Sequence, residues 1–212
     1  MADKYRDFEE LSQNEKSGSD FHILVRRATD TFAVVAPHGG GIEPGTSEIA
    51  DAIAGGGFSF YAFDGLKASG NGDLHITSTR FDEPMCLTLL GQSETVLTIH
   101  GEGSDTDAPA VFTGGRNCEL GQHIASALKS SGFDVRRHPD PLLQGLEPTN
   151  LCNRGKTGKG VQLELSRSLR RQMFSSLSET GRQTTTPRFA AFVEAIQTAL
   201  AEAPGRSFSS AG

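Results

Sequence analysis

One run limits what this chain can fold into more than any other: Val34-Val35-Ala36-Pro37-His38-Gly39-Gly40-Gly41-Ile42-Glu43-Pro44-Gly45-Thr46. It opens as an apolar strand, leaves that strand on three consecutive glycines, and reaches residues able to begin a helix. The loop that follows such a strand is where an open α/β sheet keeps its ligand site. Glycine lacks a Cβ, so the backbone can double back and bring Glu43 beside His38. An imidazole next to a carboxylate can hold a divalent metal. Taken alone, the loop serves equally well as a phosphate cradle built from the backbone N–H groups of the helix that follows, with His38 incidental. A second stretch favours the metal. Thr95-Val96-Leu97-Thr98-Ile99-His100-Gly101 repeats the layout of apolar strand, terminal histidine, glycine. With His100 as the third ligand, two strand ends converge on one point. Two histidines and one glutamate leave a tetrahedral zinc one open position for water, which is the arrangement of metal-assisted hydrolysis.

The chain has 212 residues, enough for one domain with a core that needs no disulfide staples. Twenty-six acids against twenty bases give a formal charge of -6, a balance unsuited to gripping nucleic-acid phosphates. Cys86, Cys118 and Cys152 show no CxxC spacing and are expected to be buried thiols. The first twenty residues are polar, mixed in charge and without the apolar core of a secretory signal, and no apolar run approaches a membrane span. A monomer made in the cytoplasm is expected, with no nucleic-acid or membrane partner. Any action outside the cell would follow release by lysis.

Residues 1–20 are expected to be loosely attached and residues 21–212 to form the single catalytic domain. Segments 21–27 and 31–38 look like an antiparallel hairpin. Segment 46–54 has helical apolar spacing, capped by Thr46 or Ser47, and 58–63 is the next strand, so the three form a parallel βαβ unit. Further strands are expected at 74–79, 95–100, 110–113, 133–137 and 161–166. Helices are expected from Pro84 to about Leu90, at 118–130 behind an Asn117 cap, and at 187–203. Residues 139–159 form a long functional loop, and 169–186 have no clear assignment.

Two features suggest chemistry beyond the metal. Glu164 lies in Gln162-Leu163-Glu164-Leu165-Ser166, whose alternation fits an edge strand with its polar face in water. Residues 150–171 contain six basic side chains against the single acid Glu164, inverting the sign of the whole chain. A polyanionic substrate would explain that inversion, because arginine grips carboxylates with two parallel bonds. Arg154 in this segment, and Arg116 after Gly114-Gly115, are the expected clamps.

The strings 38–55, Tyr61-Ala62-Phe63-Asp64-Gly65-Leu66-Lys67, Leu74-His75-Ile76-Thr77-Ser78-Thr79-Arg80-Phe81-Asp82-Glu83-Pro84 and Ile99-His100-Gly101 closely resemble the phage poly-γ-glutamate hydrolase family, over most of the chain beyond residue 20. The resemblance implies a zinc-dependent amidohydrolase. Its α/β fold would be a single-domain mixed twisted sheet flanked by helices, similar to the zinc carboxypeptidases, with Zn2+ on His38, Glu43 and His100. It also implies that Glu164 is the general base, taking a proton from the water and handing it to the departing amine. His75 and Tyr61, which lie in the matching strings, join Arg116, Arg154 and Asn153 as expected substrate contacts, and Asp64 is a candidate to orient His38 or His100.

Asn153-Arg154 is similar to the pair with which zinc carboxypeptidases hold a terminal carboxylate, but here it follows His100 instead of lying between the ligands. The spacing from His38 to Glu43 also exceeds that family's His-x-x-Glu. Both departures favour an internal amide of poly-γ-glutamate over a chain end. Two other readings stay open. One is a zinc carboxypeptidase trimming peptide ends. The other is a non-catalytic phosphate or nucleotide binder, although the loop lacks the lysine and the serine or threonine of a P-loop.

Overall fold

Nearly continuous apolar runs, as in Phe32–Gly40 and Thr95–Glu102, suit strands covered on both faces, and such strands belong in the middle of a parallel sheet. The computed structural model, which describes residues 3–103 and 108–203, puts them there. Helix α1 (Phe8–Asn14) precedes strands β1 (Phe21–Arg26) and β2 (Phe32–Gly40), then α2 (Thr46–Ala54) and β3 (Ser59–Gly65). Helix α3 (Pro84–Gln92) leads to β4 (Thr95–Glu102), β5 (Val111–Gly114), α4 (Cys118–Ser130) and β6 (Val135–Arg137). Strand β7 (Val161–Ser166) and helices α5 (Arg167–Met173) and α6 (Pro187–Ala201) complete the order.

The seven strands form one mixed sheet in the order β1-β3-β2-β4-β7-β5-β6. Strands β3, β2, β4 and β7 run parallel, while β1 on β3 and β5 on β7 are antiparallel. One face of the sheet packs Ile49, Ile53, Leu120, Ile124, Phe192 and Ile196 from α2, α4 and α6. The other packs Tyr5, Leu11, Leu74, Ile76, Phe81 and Leu89 against Tyr61 and Phe63. Asn117 caps α4 through its side chain, and Thr186 caps α6 immediately before Pro187. Among the described residues, no helix is long and apolar enough to cross a membrane.

The β2-α2-β3 unit forms as its spacing predicts, and the sheet is mixed and flanked by helices. Four local expectations give way. The segment at 21–27 does not form a hairpin with β2: β1 pairs with β3, because β2 is buried along its whole length and is covered on both edges by β3 and β4. Helix α2 has no side-chain cap; Gly45 at φ 100° begins it, and the Thr46 hydroxyl instead donates to the Glu43 carbonyl. Residues 74–79 are not a strand. A 3-10 turn spans Asn71–Leu74, and Leu74, Ile76 and Ser78 then bury alternate side chains with no ladder beside them. Period-two burial is therefore real here, but it is met by core contacts on one side alone. Cys86 and Cys152 are buried, whereas Cys118 is exposed.

The N-terminal segment is not loosely attached. Tyr5 and Leu11 are core residues, and the Phe8 ring packs edge-on against Phe21 and Phe63. Met1, Ala2 and residues 204–212, the outermost parts of the two expected segments, lie outside the described residues. Leu11→Ala should lower unfolding free energy by about 2–5 kcal/mol, as for other fully buried leucines. Urea titration would read this as a lower midpoint, and an unshifted midpoint would mean that the segment contributes nothing to the core.

Candidate active site

Strand β2 delivers His38 to the sheet end, and the glycines then turn the chain back beneath it. The Glu43 N–H donates to the His38 carbonyl at 2.9 Å, and Gly40 takes φ 60°. A Cβ on Gly39 would lie 1.7 Å from the Ser47 hydroxyl, so only glycine fits. The turn places Glu43 Oε1 3.2 Å from His38 Nδ1. Strand β4 delivers His100 to the same point, its Nδ1 3.8 Å from Glu43 Oε2, and the Gly101 N–H donates to that oxygen at 2.7 Å. Glycine is required at 101 as well: a Cβ there would meet Arg170 Cζ at 2.7 Å and Glu43 Cβ at 2.8 Å.

The rest of the constellation comes from residues 75–78. His38 Nε2 donates to the Ile76 carbonyl at 2.8 Å, and His100 Nε2 faces the Ser78 hydroxyl at 3.3 Å. The His75 ring packs on His38 with centroids 4.0 Å apart, and His38 and His100 are 5.1 Å apart. One donor atom each from His38, Glu43 and His75 lie within 4.8 Å of one another, close enough to share a metal ion. His100, expected as the third ligand, borders this group on the second Glu43 oxygen. His75, expected on the substrate side, is drawn inward.

Burial alone would raise the Glu43 carboxyl, but His38, His100 and the Gly101 N–H outweigh it and bring it down to about 2. Burial pushes His100 down to about 3, so its ring is neutral. His75 is lowered first by its neighbour His38 and then by burial. Burial opposes charge on His38 too, yet Glu43 more than compensates and raises it. His38 Nδ1 is buried and faces Glu43 Oε1 at 3.2 Å without an aligned hydrogen bond. A buried ring nitrogen facing an ionised carboxylate, with neutral imidazoles beside it, is a donor set that fits a divalent cation.

Glu164 lies beside His100 in register on β7. The strand is interior, between β4 and β5, and all six of its residues are buried, so the water-facing edge reading fails. Gln162 Nε2 donates to Glu164 Oε1 at 2.9 Å, and Gln162 is itself held by Asn150. Burial, then the nearby Glu43 and Glu102, drive the Glu164 carboxyl well above its ordinary range, against the pull of Arg170 and Gln162. The buried Arg170 donates to the carbonyls of Leu165, Pro44 and Glu102, tying the ends of β7 and β4 to the β2–α2 loop beneath the site. Its place in a basic stretch was the only sequence signal for it.

The other expected site residues disperse. Tyr61 is fully buried in the core beside Phe81 and has no surface for a ligand. Asn153 is buried, donating to the Gly145 and Glu147 carbonyls while its oxygen accepts from Arg116 and Gly160 N–H groups, so it is a strut for the loop. Arg154 is half-buried and donates to the Phe81 carbonyl; Arg116 is exposed. Lys156 pairs with Glu94, just before the start of β4 and so at the opposite end of that strand from His100. The basic segment therefore does not form one surface. Asp64 bonds Ser47 and makes no hydrogen bond to either His38 or His100.

A sheet-end cluster of imidazoles around one buried carboxylate, with a second buried carboxyl beside it, is an arrangement suited to hydrolysis. The chain belongs to the poly-gamma-glutamate hydrolase family, whose model matches residues 5–195. It is 41% identical to the SPbeta prophage-derived UPF0714 protein YoqZ of Bacillus subtilis over 87% of its length, spanning 66% of that relative. It is 38% identical to the B. subtilis UPF0714 protein YndL over 92% of the chain and 76% of that protein. A bacteriophage poly-gamma-glutamate hydrolase structure superposes with a TM-score of 0.91 at 38% identity, covering 95% of this chain and 98% of that one. The zinc-free apo form of YndL gives 0.89 at 36% identity, with the same coverage.

The pH response of the metal-free protein tests the buried neutral state of His100. Its folded pKa lies below the unfolded one, so the unfolded chain binds the extra proton between about pH 6.5 and 3. Stability contributed by a neutral His100 is thus present above pH 6.5 and lost as pH falls through that window. With a chelator present, the melting temperature of wild type should drop more steeply over this range than that of His100→Asn. Parallel curves would mean that His100 does not carry this proton linkage.

Proposed function

We propose that this chain is a zinc-dependent hydrolase that cuts internal γ-amide bonds of poly-γ-glutamate. The observation that carries the reading is the buried Glu164 set beside His100, next to the His38–Glu43 pair, in a member of this family. Zinc would be held by His38 and Glu43 with His100 or His75, and when bound it would supply Lewis-acid polarisation of the amide carbonyl and of the attacking water. Glu164 in its ionised form would take one proton from the attacking water and then give that proton to the departing amine nitrogen; a carboxyl raised above its ordinary range is a stronger base for the first transfer. Gln162 fixes the direction of the Glu164 carboxyl through this exchange. Each residue of the γ-linked polymer carries a free α-carboxylate, and the half-exposed Arg80, with Arg154 and Arg116, are the cations proposed to meet these groups.

Asn153 supports internal cleavage over end trimming. Both its amide atoms are committed to the backbone, so an Asn-Arg clamp for a terminal carboxylate is not available at 153–154. A monomer that reaches the polymer after lysis, touching neither nucleic acid nor membrane, completes the reading; prophage derivation is a property of the relative YoqZ.

Purified protein should carry close to one zinc per chain, lost in His38→Ala, because the remaining donors rarely retain the ion. Glu164→Gln should keep the zinc while turnover falls by roughly 100-fold or more. Metal analysis paired with turnover reads both, and normal turnover in the Gln variant would remove Glu164 from the chemistry. A time course of polymer size against free glutamate tests the substrate. Viscosity should fall early with little monomer released, and cleavage should slow at high salt as charge attraction is screened over about 8 Å or less. Immediate monomer release without a salt effect would favour the carboxypeptidase alternative.

A further inference from the structure

The N-terminal segment does more than fill core volume. Asp3 reaches across the chain to residues 75–80, and its carboxylate takes three partners there. Oδ1 lies 2.7 Å from His75 Nδ1, and Oδ2 accepts from the Thr77 N–H at 2.8 Å and from Arg80 Nη2 at 2.6 Å. The Asp3 side chain is 5% exposed, and its neighbours hold it in place. Lys4 bridges Asp73 and Glu15, the Tyr5 hydroxyl donates to Glu15, and the Phe8 N–H donates to Asp82. Residues 75–79 have no ladder of their own, so these bonds, with the His38 bond to Ile76, set their course.

A neutral imidazole exists as two tautomers, and the partner of one nitrogen decides which lone pair the other presents. We propose that Asp3 is a positioning residue for the active site: by accepting the His75 Nδ1–H it fixes that ring with the Nε2 lone pair turned to the reaction centre. Resting on the metal-hydrolase reading above, the inference gives His75 a defined role within it. His75 stacks on His38, supplies a donor atom within 4.8 Å of those of His38 and Glu43, and keeps 34% of its side chain open to solvent. A carboxylate behind an active-site imidazole raises its basicity and locks its rotation, and removing one commonly costs 10–100-fold in affinity or activity. The same carboxylate also accepts from Arg80, so losing that bond would raise KM, and the coupling of Asp3 to His75 is read in kcat alone.

The experiment compares Asp3→Asn, His75→Ala and the double variant, with Lys4→Ala as a control in the same segment. In metal-free protein, nitrogen-15 NMR of the histidine rings should show His75 protonated on Nδ1 in wild type and in Lys4→Ala, and shifted toward the Nε2–H tautomer in Asp3→Asn. With poly-γ-glutamate, kcat should fall about 10–100-fold in Asp3→Asn, and adding that change to His75→Ala should cost nothing further. An unchanged tautomer in Asp3→Asn would overturn the proposal, as would an undiminished loss in the His75→Ala background, which would mark Asp3 as a purely structural tether. If wild type fails to cleave the polymer, the hydrolase reading fails, while the NMR arm still decides the Asp3–His75 assignment.

Discussion

A carboxylate taken out of water costs several kcal/mol unless donors surround it, and Glu43 is where this molecule meets that demand. Two imidazoles and the Gly101 N–H converge on its two oxygens. To make that convergence possible, β2 and β4 must be adjacent and parallel, their ends must open onto glycine, and the loop between β2 and α2 must close on itself. Arg170 then fits beneath, against a glycine that permits no larger side chain. Much of the sheet order thus serves the enclosure of one charge.

The part of the site that follows a strand into a loop could be read from residues in order. His38, Glu43 and His100 sit at the ends of runs whose apolar character states where the strands go, and these three do come together. Glu164 was harder, since alternation along 162–166 describes an edge strand as well as an interior one. What decides between them is β5 pairing on its far side, a contact with no local signature. The contact from Asp3 to His75 is of the same kind: 72 positions separate the partners, and an aspartate in a polar N-terminal stretch carries no mark of its destination. Residues 74–79 misled for the opposite reason. Their alternation is a true record of burial, yet burial on one side does not require a neighbouring strand.

The basic segment at 150–171 shows where counting charges stops being informative. Its members separate because β7 lies in its middle: Lys156 is left at the start of the strand, and Arg170 beyond its end. Charge density along a chain becomes charge density on a surface only where the backbone stays on one side of the molecule. Asn153 makes the same point for polar residues. Three of its four side-chain hydrogen bonds stay within the loop that carries it and the fourth reaches the Arg116 N–H, so its presence beside an arginine reflects loop architecture and not ligand recognition.

The position of β7 also bears on how the protein comes into being during synthesis. Strand β5 docks on β7, which is made about 50 residues later, and β6 reaches the sheet solely through β5. Until β7 emerges from the ribosome, β4 has an open edge, the β5–β6 pair has no sheet to join, and neither Glu164 nor Arg170 exists. Non-local pairing of this sort is slow and leaves strand edges exposed while it waits. A nascent or prematurely ended chain stopping short of residue 161 therefore carries the imidazoles without the second carboxyl, and the cluster is completed in a single late step.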